Sequence, residues 1–248
     1  ISCFILLLSG VILQFKQLTY RKLLFIIFFI AAFTIIFLSG ERSNFIKITF
    51  ASFLFLLLTN KFSLKDKLIS LGIIAILFTI IFNFSNYLKL RYIYQFKDLI
   101  YSENKLNFED NIYFQLYKSG YLVFEKNKFF GVGNKNYRVY ACSENKNYDY
   151  AKFICSTSPH QIYLEFLSEH GIIGTVILLG IFIFIFFKML KVIILNRNDV
   201  QIACFSYLIT FFLPLLPSGA FFADFNSNFF WINFAIFFAV NKETNIFR

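Results

Sequence analysis

Seven apolar runs dominate the chain, at residues 1–13, 23–39, 45–59, 68–84, 171–187, 200–216 and 221–240. Each approaches the roughly 20 residues that carry a helix across a bilayer core. None shows the period-two alternation of a barrel strand, so spanning helices are expected. Charged residues make up 15% of the sequence, against about 25% in an ordinary soluble domain. Too few polar side chains are present to cover a water-facing surface. The expected fold is an all-α, polytopic transmembrane helix bundle of about seven spans with one large external loop. Residues 1–84 form an N-terminal group of spans, 85–169 the loop with short helices, 170–240 a C-terminal group and 241–248 a tail. The first run, Ile1–Leu13, has no basic leader before it. It reads as the remainder of a span in an N-terminally truncated, larger bundle, not as a signal peptide.

The net charge of +10 would suggest nucleic acid in a soluble protein. Here the cations follow a membrane pattern. Lys16, Arg21 and Lys22 lie after the first run, and Lys61, Lys65 and Lys67 after the third. Lys188, Lys191 and Arg197 follow the fifth, and Lys242 and Arg248 end the chain. If spans alternate, these four segments share one side, which the positive-inside rule makes cytoplasmic. The turn 40–44, the loop 85–169 and the turn 217–219 then face the periplasm or the cell exterior. The loop carries 11 Lys or Arg against 9 Asp or Glu, a balance the rule permits in long translocated segments. No nucleic-acid partner is expected.

The loop reads as folded. Phe108, Ile112, Phe114, Leu116, Tyr117, Leu122 and Phe124 recur at helical intervals, which predicts a helix around Asp110–Phe124. Gly131 and Gly133 then mark a turn. The loop either caps a site or stands as a passive ectodomain. Cys142 and Cys155 share it, and a disulfide between them suits a non-cytoplasmic compartment. Cys3 and Cys204 fall in apolar runs and read as packing residues.

The densest polar cluster beside a span runs from Ser156 to Gly174. Pro159 suits a first helical turn, with Ser158 as its cap. His160, Tyr163, Leu164 and Leu167 would then share a face, and Gly171 and Gly174 would allow a tight re-entry into the next span. An imidazole there is either a general base for a sugar hydroxyl or an interfacial polar residue. His170 reads as a loop or interface residue. The His160…His170 spacing, with Glu165 and Glu169 nearby, matches no metal motif, so no metal is expected.

Arg42, in the turn Ser39-Gly40-Glu41-Arg42-Ser43-Asn44, is either a bidentate phosphate ligand or the partner of Glu41 in a local ion pair. Gly131-Val132-Gly133-Asn134-Lys135-Asn136-Tyr137-Arg138 lacks the ending of a P-loop but could offer N–H groups and Arg138 to a phosphate. Asp224, beside Asn226, Ser227 and Asn228, either faces a polar cavity within the last span or lies above the hydrocarbon.

Taken in order, these segments resemble the O-antigen ligase / O-antigen polymerase family of bacterial envelope enzymes. The likeness begins at Ser39-Gly40-Glu41-Arg42-Ser43 and continues at Gly131-Val132-Gly133-Asn134. It is strongest at Pro159-His160-Gln161-Ile162-Tyr163-Leu164-Glu165, followed by Glu169-His170-Gly171-Ile172-Ile173-Gly174, and it ends at Pro217-Ser218-Gly219. The family usually has Asn after the His, where this chain has Gln161. Its members have about a dozen spans. The resemblance implies metal-independent glycosyl transfer, without a cofactor, at the periplasmic face of the inner (plasma) membrane. The donor would be a glycan on undecaprenyl diphosphate. The acceptor would be the sugar core of lipid A in a ligase, or a second lipid-linked glycan in a polymerase. By the same resemblance His160 would activate the acceptor hydroxyl, and Arg42 and Arg138 would bind the diphosphate. Gln161, Tyr163, Glu165 and Asp224 would support them. A lipid-linked sugar transporter is the competing class, but it would need more buried charge in its spans. A non-catalytic membrane protein is another.

Overall fold

The computed structural model describes residues 2–14, 20–94, 97, 101–102, 105–106, 111–147 and 153–241. Ile1, Lys16, Phe108, Asp110, Lys242 and Arg248 lie outside the described residues, as do the side chains of Cys3 and Arg21. Among the described residues the regular structure is helical apart from two antiparallel two-residue strands, β1 (Tyr101–Ser102) and β2 (Lys105–Leu106). The long helices are α1 (Ser2–Gln14), α2 (Arg21–Leu38), α3 (Arg42–Leu58) and α4 (Leu64–Phe84). The short α5 (Asn86–Lys89) runs into a π-helical turn at Leu90–Tyr94. Then come α6 (Ile112–Lys126), α7 (Tyr137–Asn147), α8 (Ile162–Asn196), α9 (Asp199–Ile209) and α10 (Asp224–Ala239).

Each of the seven apolar runs is largely helical, but their ends differ from expectation. The run 200–216 gives a helix that stops at Ile209, followed by a 3-10 turn over Thr210–Phe212. Pro214 and Pro217 account for this, because neither can donate a backbone hydrogen bond and each disfavours helix in the residue before it. The run 221–240 becomes helical at Asp224. Among the described residues, α8 is the helix long and apolar enough to cross a membrane. Its Ile172, Val176, Ile183, Phe184 and Phe187 are exposed. A soluble core helix would bury such side chains, whereas lipid accepts them.

The chain forms two compact units. One comprises Ile1–Phe96, Phe186–Thr210 and Phe229–Arg248; the other comprises Lys97–Ile185 and Phe211–Asn228. In the first, phenylalanine does much of the packing. Phe25, Phe29, Phe33 and Phe37 recur every fourth residue along α2 and are buried. Neighbouring rings lie 5.3 and 5.1 Å apart at Phe25–Phe29 and Phe29–Phe33, and Phe25 also meets Phe55 and Phe62. Such ring pairs add about 0.5–1.5 kcal/mol beyond area burial.

The basic segments of this unit meet one another. Lys22 lies over the Phe62 ring at 5.8 Å. Arg197 donates to Asn60, and Lys61 lies 3.8 Å from the buried Asp199, which also accepts from Thr59 Oγ1 at 2.6 Å. Lys67 Nζ donates to the Thr59 carbonyl at 2.7 Å. A second set of contacts joins the 39–42 turn to the start of the long loop. Tyr87 Oη donates to the Ser39 carbonyl and Tyr92 Oη to that of Phe37, and Arg91 lies 4.0 Å from Glu41.

The second unit holds the folded part of the loop. The helix expected around Asp110–Phe124 is α6, capped by Asn111 Oδ1, which accepts from Tyr113 N. It packs with α7 and residue 153 around Val123, Tyr137, Ala141 and Phe153. Ser119 Oγ bonds Tyr137 Oη at 2.9 Å and accepts from Ile154 N. A disulfide joins Cys142 to Cys155.

The centre of this unit is a break in α8. Gly171 takes φ 62° and ψ −173° inside the helix, so the expected tight re-entry is a one-residue interruption instead. The interruption frees backbone groups on both sides, and residues 128–133 take them up. Val132 N donates to the Ser168 carbonyl at 3.0 Å and Gly133 N to that of Glu169 at 2.8 Å. In return Ile172 N donates to the Lys128 carbonyl at 2.8 Å and Ile173 N to that of Phe129 at 3.3 Å. The backbones approach so closely that only glycine fits. A Cβ on Gly171 would lie 2.3 Å from Phe129 C, and one on Gly131, itself at φ 69°, would lie 2.3 Å from Glu169 C.

Gly171→Ala is therefore expected to destabilise this unit by about 1–3 kcal/mol through backbone conformation alone, with the clash in addition. Denaturant unfolding measures the loss, and hydrogen exchange at the Val132 and Gly133 amides should accelerate. Unchanged exchange at those amides would contradict the docking described.

Candidate functional site

His160 does not sit on the helix expected to carry it. α8 starts at Ile162, and His160 has φ 55°, a left-handed conformation that costs most residues energy but is several-fold enriched in His. Ser158 Oγ does not cap the helix. It accepts from His160 N at 3.3 Å in a local turn. The capping falls to Gln161, whose Oε1 accepts from Leu164 N at 2.8 Å. The face once expected for His160, Tyr163, Leu164 and Leu167 thus loses its first member, and Pro159 lies before the first turn.

The imidazole is instead gripped by Ser218. Ser218 N donates to the His160 carbonyl at 2.8 Å, and His160 Nδ1 lies 3.2 Å from the Ser218 carbonyl. A carbonyl only accepts, so Nδ1 carries the proton in this bond and Nε2 keeps its lone pair when the ring is neutral. Tyr113 of α6 meets the ring edge-on at 6.4 Å. Among the described residues, Ser218 Oγ and Tyr117 Oη are buried without a hydrogen-bond partner. Tyr117 shares a face of α6 with Tyr113, and burial, with Tyr113 beside it, pushes the Tyr117 hydroxyl up to about 12. It therefore stays a donor at neutral pH.

Two of the other candidates, Tyr163 and Glu165, bond to backbone groups of residues 212–222. Tyr163 Oη donates to the Phe212 carbonyl at 2.6 Å, tying α8 to the 3-10 turn. Glu165 is 1% exposed. Both of its carboxylate oxygens accept from Phe221 N at 2.9 Å, and Oε1 also lies 3.4 Å from Phe222 N. Asp224 is exposed at the start of α10, where it pairs with Lys135 Nζ at 3.2 Å. Arg138 is exposed in the first turn of α7 and, among the described residues, bonds to none of these groups.

Arg42 belongs to the other unit. It opens α3, and its Nη1 is buried without a partner among the described residues. The local ion pair with Glu41 does not form; Glu41 lies nearest to Arg91 instead. Sequence reasoning passed over Arg91, Lys135, Ser218 and Tyr113. Lys135 is brought in by the docked 128–133 segment, with its amide on Glu169 Oε2 at 3.0 Å. Nothing in residue spacing signals that. The four-residue spacing of Tyr113 and Tyr117 was a readable signal.

Burial raises the Glu165 carboxyl to about 7 from 4.5, with Glu169 adding to the rise and the amides of Phe221 and Phe222 opposing it. Glu165 precedes the apolar run 171–187 of α8. A carboxyl raised in the folded state lends stability that is fully present below its unfolded value and lost as pH rises through about 7. The thermal midpoint should therefore fall between pH 5 and pH 8, and the fall should be smaller in Glu165→Gln. Equal falls in both proteins would count against a buried carboxyl.

The sequence matches the family model described as O-antigen ligase over residues 26–179. That interval covers well over half of the chain and includes both Arg42 and His160. No curated protein matches, and no solved structure matches. The match is to the family whose residues the turn at 39–43 and the segment 159–174 resemble, and the chain belongs to the O-antigen ligase family.

Proposed function

We propose that this protein transfers a glycan from undecaprenyl diphosphate to a sugar hydroxyl, most simply in the manner of an O-antigen ligase, without a metal ion. The observation that carries the reading is the His160 imidazole, held through Nδ1 by the Ser218 carbonyl so that Nε2 is the basic nitrogen. In the reaction, the acceptor oxygen forms a bond to the anomeric carbon of the donor sugar and gives its proton to Nε2. The bond from that carbon to the diphosphate oxygen breaks, and the electron pair leaves with undecaprenyl diphosphate. Charge building on the leaving group calls for a cationic donor. Arg42 fits that task, with an unpartnered buried Nη1 at the N-terminus of a 17-residue helix, where N–H groups and dipole also favour an anion. Arg138 is a weaker candidate for the same role. Tyr117 and Ser218 offer unpaired hydroxyls for the sugars.

The protein is proposed to lie in the bacterial inner membrane as a bundle of about seven spans, with the long loop periplasmic. Several observations support this orientation. The basic segments around Lys22, Lys61, Lys67 and Arg197 meet one another. The 39–42 turn meets the start of the loop through Tyr87 and Tyr92. The Cys142–Cys155 disulfide suits an oxidising compartment.

Two substitutions test the chemistry in the full-length parent in membranes, with an undecaprenyl-diphosphate glycan as donor. Lipid A core and a second lipid-linked glycan serve separately as acceptors. His160→Ala should lower transfer by about 10²–10⁴-fold at unchanged protein level, and the acceptor that yields product separates ligase from polymerase. Transfer unchanged in His160→Ala would remove it as the base. Arg42→Ala should lower transfer by about tenfold to a hundredfold, as expected for a lost charge-assisted hydrogen bond. Arg42→Lys should recover only part, because an ammonium cannot grip bidentately. Full activity in Arg42→Ala would exclude a role on the diphosphate.

A further inference from the structure

We propose that Glu165 is a positioning residue. It holds residues 217–222 in the conformation from which the Ser218 carbonyl fixes His160 with its proton on Nδ1 and its lone pair on Nε2. The proposal rests on the reading of His160 as the base.

The segment between the 3-10 turn at Thr210–Phe212 and α10 at Asp224 has no regular structure of its own. Backbone groups in such a stretch must find partners elsewhere when buried. Phe221 is 2% exposed, and its amide is met by both oxygens of Glu165 at 2.9 Å. The Phe222 amide lies 3.4 Å from Oε1 of the same carboxyl. One side chain thus takes two consecutive amides of the segment, three residues beyond the Ser218 carbonyl that receives His160 Nδ1.

The backbone of the same residue is tied to the histidine from the other direction. Glu165 N donates to the Gln161 carbonyl at 2.9 Å, the first helical bond of α8, and Gln161 directly follows His160. The backbone of His160 and its ring partner are therefore both referred to the first turn of one helix. Ser218 N on the His160 carbonyl at 2.8 Å closes the loop of bonds. Two other contacts help to hold the segment. Asn226 Nδ2 donates to the Ala220 carbonyl, and the Phe221 ring packs on Phe166 at 5.4 Å and Phe182 at 5.9 Å. Neither reaches the Phe221 and Phe222 amides. Without the carboxyl the segment keeps its packing but not its register against Ser218.

A residue this buried could matter for folding alone, so the test must read the imidazole itself. The full-length parent, labelled with ¹⁵N-histidine in lipid nanodiscs, is compared with Glu165→Gln, Glu165→Leu and Glu165→Ala, and His160→Ala assigns the signal. Gln keeps the volume and one acceptor oxygen; Leu fills the space and accepts nothing. The wild type and Gln forms should show His160 protonated on Nδ1 alone when neutral. The Leu and Ala forms should show a mixture of Nδ1–H and Nε2–H, with kcat down at least tenfold and the acceptor KM within about twofold. A Leu form with the wild-type ¹⁵N pattern and wild-type kcat would overturn the proposal. So would a Gln form that loses the single tautomer as fully as Leu does. If Leu and Ala fail to fold, the Gln form decides alone: a mixture of Nδ1–H and Nε2–H in it would overturn the proposal. The NMR result does not depend on catalysis. Transfer that survives in His160→Ala, together with a tautomer that changes in Glu165→Leu, would remove His160 as base and leave the positioning intact.

Discussion

The exchange of backbone hydrogen bonds across Gly171 is the interaction on which the rest of the candidate site depends. A helix that runs unbroken satisfies its own amides and carbonyls and offers nothing to a neighbour. By rotating one residue out of helical conformation, α8 releases the carbonyls of Ser168 and Glu169 and the amides of Ile172 and Ile173. In an apolar setting each group left unpaired would cost about 1–3 kcal/mol. The segment 128–133 meets all four, so the docking is demanded by the break. From it follow the place of Lys135 beside Glu169 and Asp224, and the attachment of the folded loop to the start of the long apolar stretch of α8.

Much of the helical architecture was legible in the sequence, because apolar runs with no alternation leave the backbone one solution in lipid. The ends were less legible. Pro214 and Pro217 were in plain view, yet the run 200–216 reads as apolar throughout, and composition outvoted the prolines. The site was legible by residue type and not by conformation. Pro159 and Ser158 make a plausible helix start, but local hydrogen bonding favoured a turn at His160 and left the cap to Gln161. That choice depends on Ser218, some sixty residues away in the chain, and no local pattern encodes it. Gly131 and Gly171 each read as turn formers. That they serve one close contact emerges only when both backbones are seen together.

The two ends of the phenylalanine-rich unit hold their cations differently. At the end rich in Lys and Arg, Lys61 lies beside the buried Asp199, Lys67 donates to the Thr59 carbonyl and Arg197 donates to Asn60. Around the 39–42 turn the situation differs. Glu41 lies near Arg91, tyrosine hydroxyls donate to the carbonyls of Phe37 and Ser39, and one guanidinium nitrogen of Arg42 has no partner among the described residues. An unpaired cationic donor is costly to keep without a use, which is why it weighs more than the larger number of paired cations.

The bridge between Cys142 and Cys155 closes a ring of chain that begins in α7 and ends just before the His160 turn. A protease that cuts once inside this ring releases nothing, and the two halves travel as one band until a reductant separates them. The ring closes only where the two thiols can be oxidised, so a chain retained among reducing thiols would carry every residue of the site while lacking the tether that precedes it.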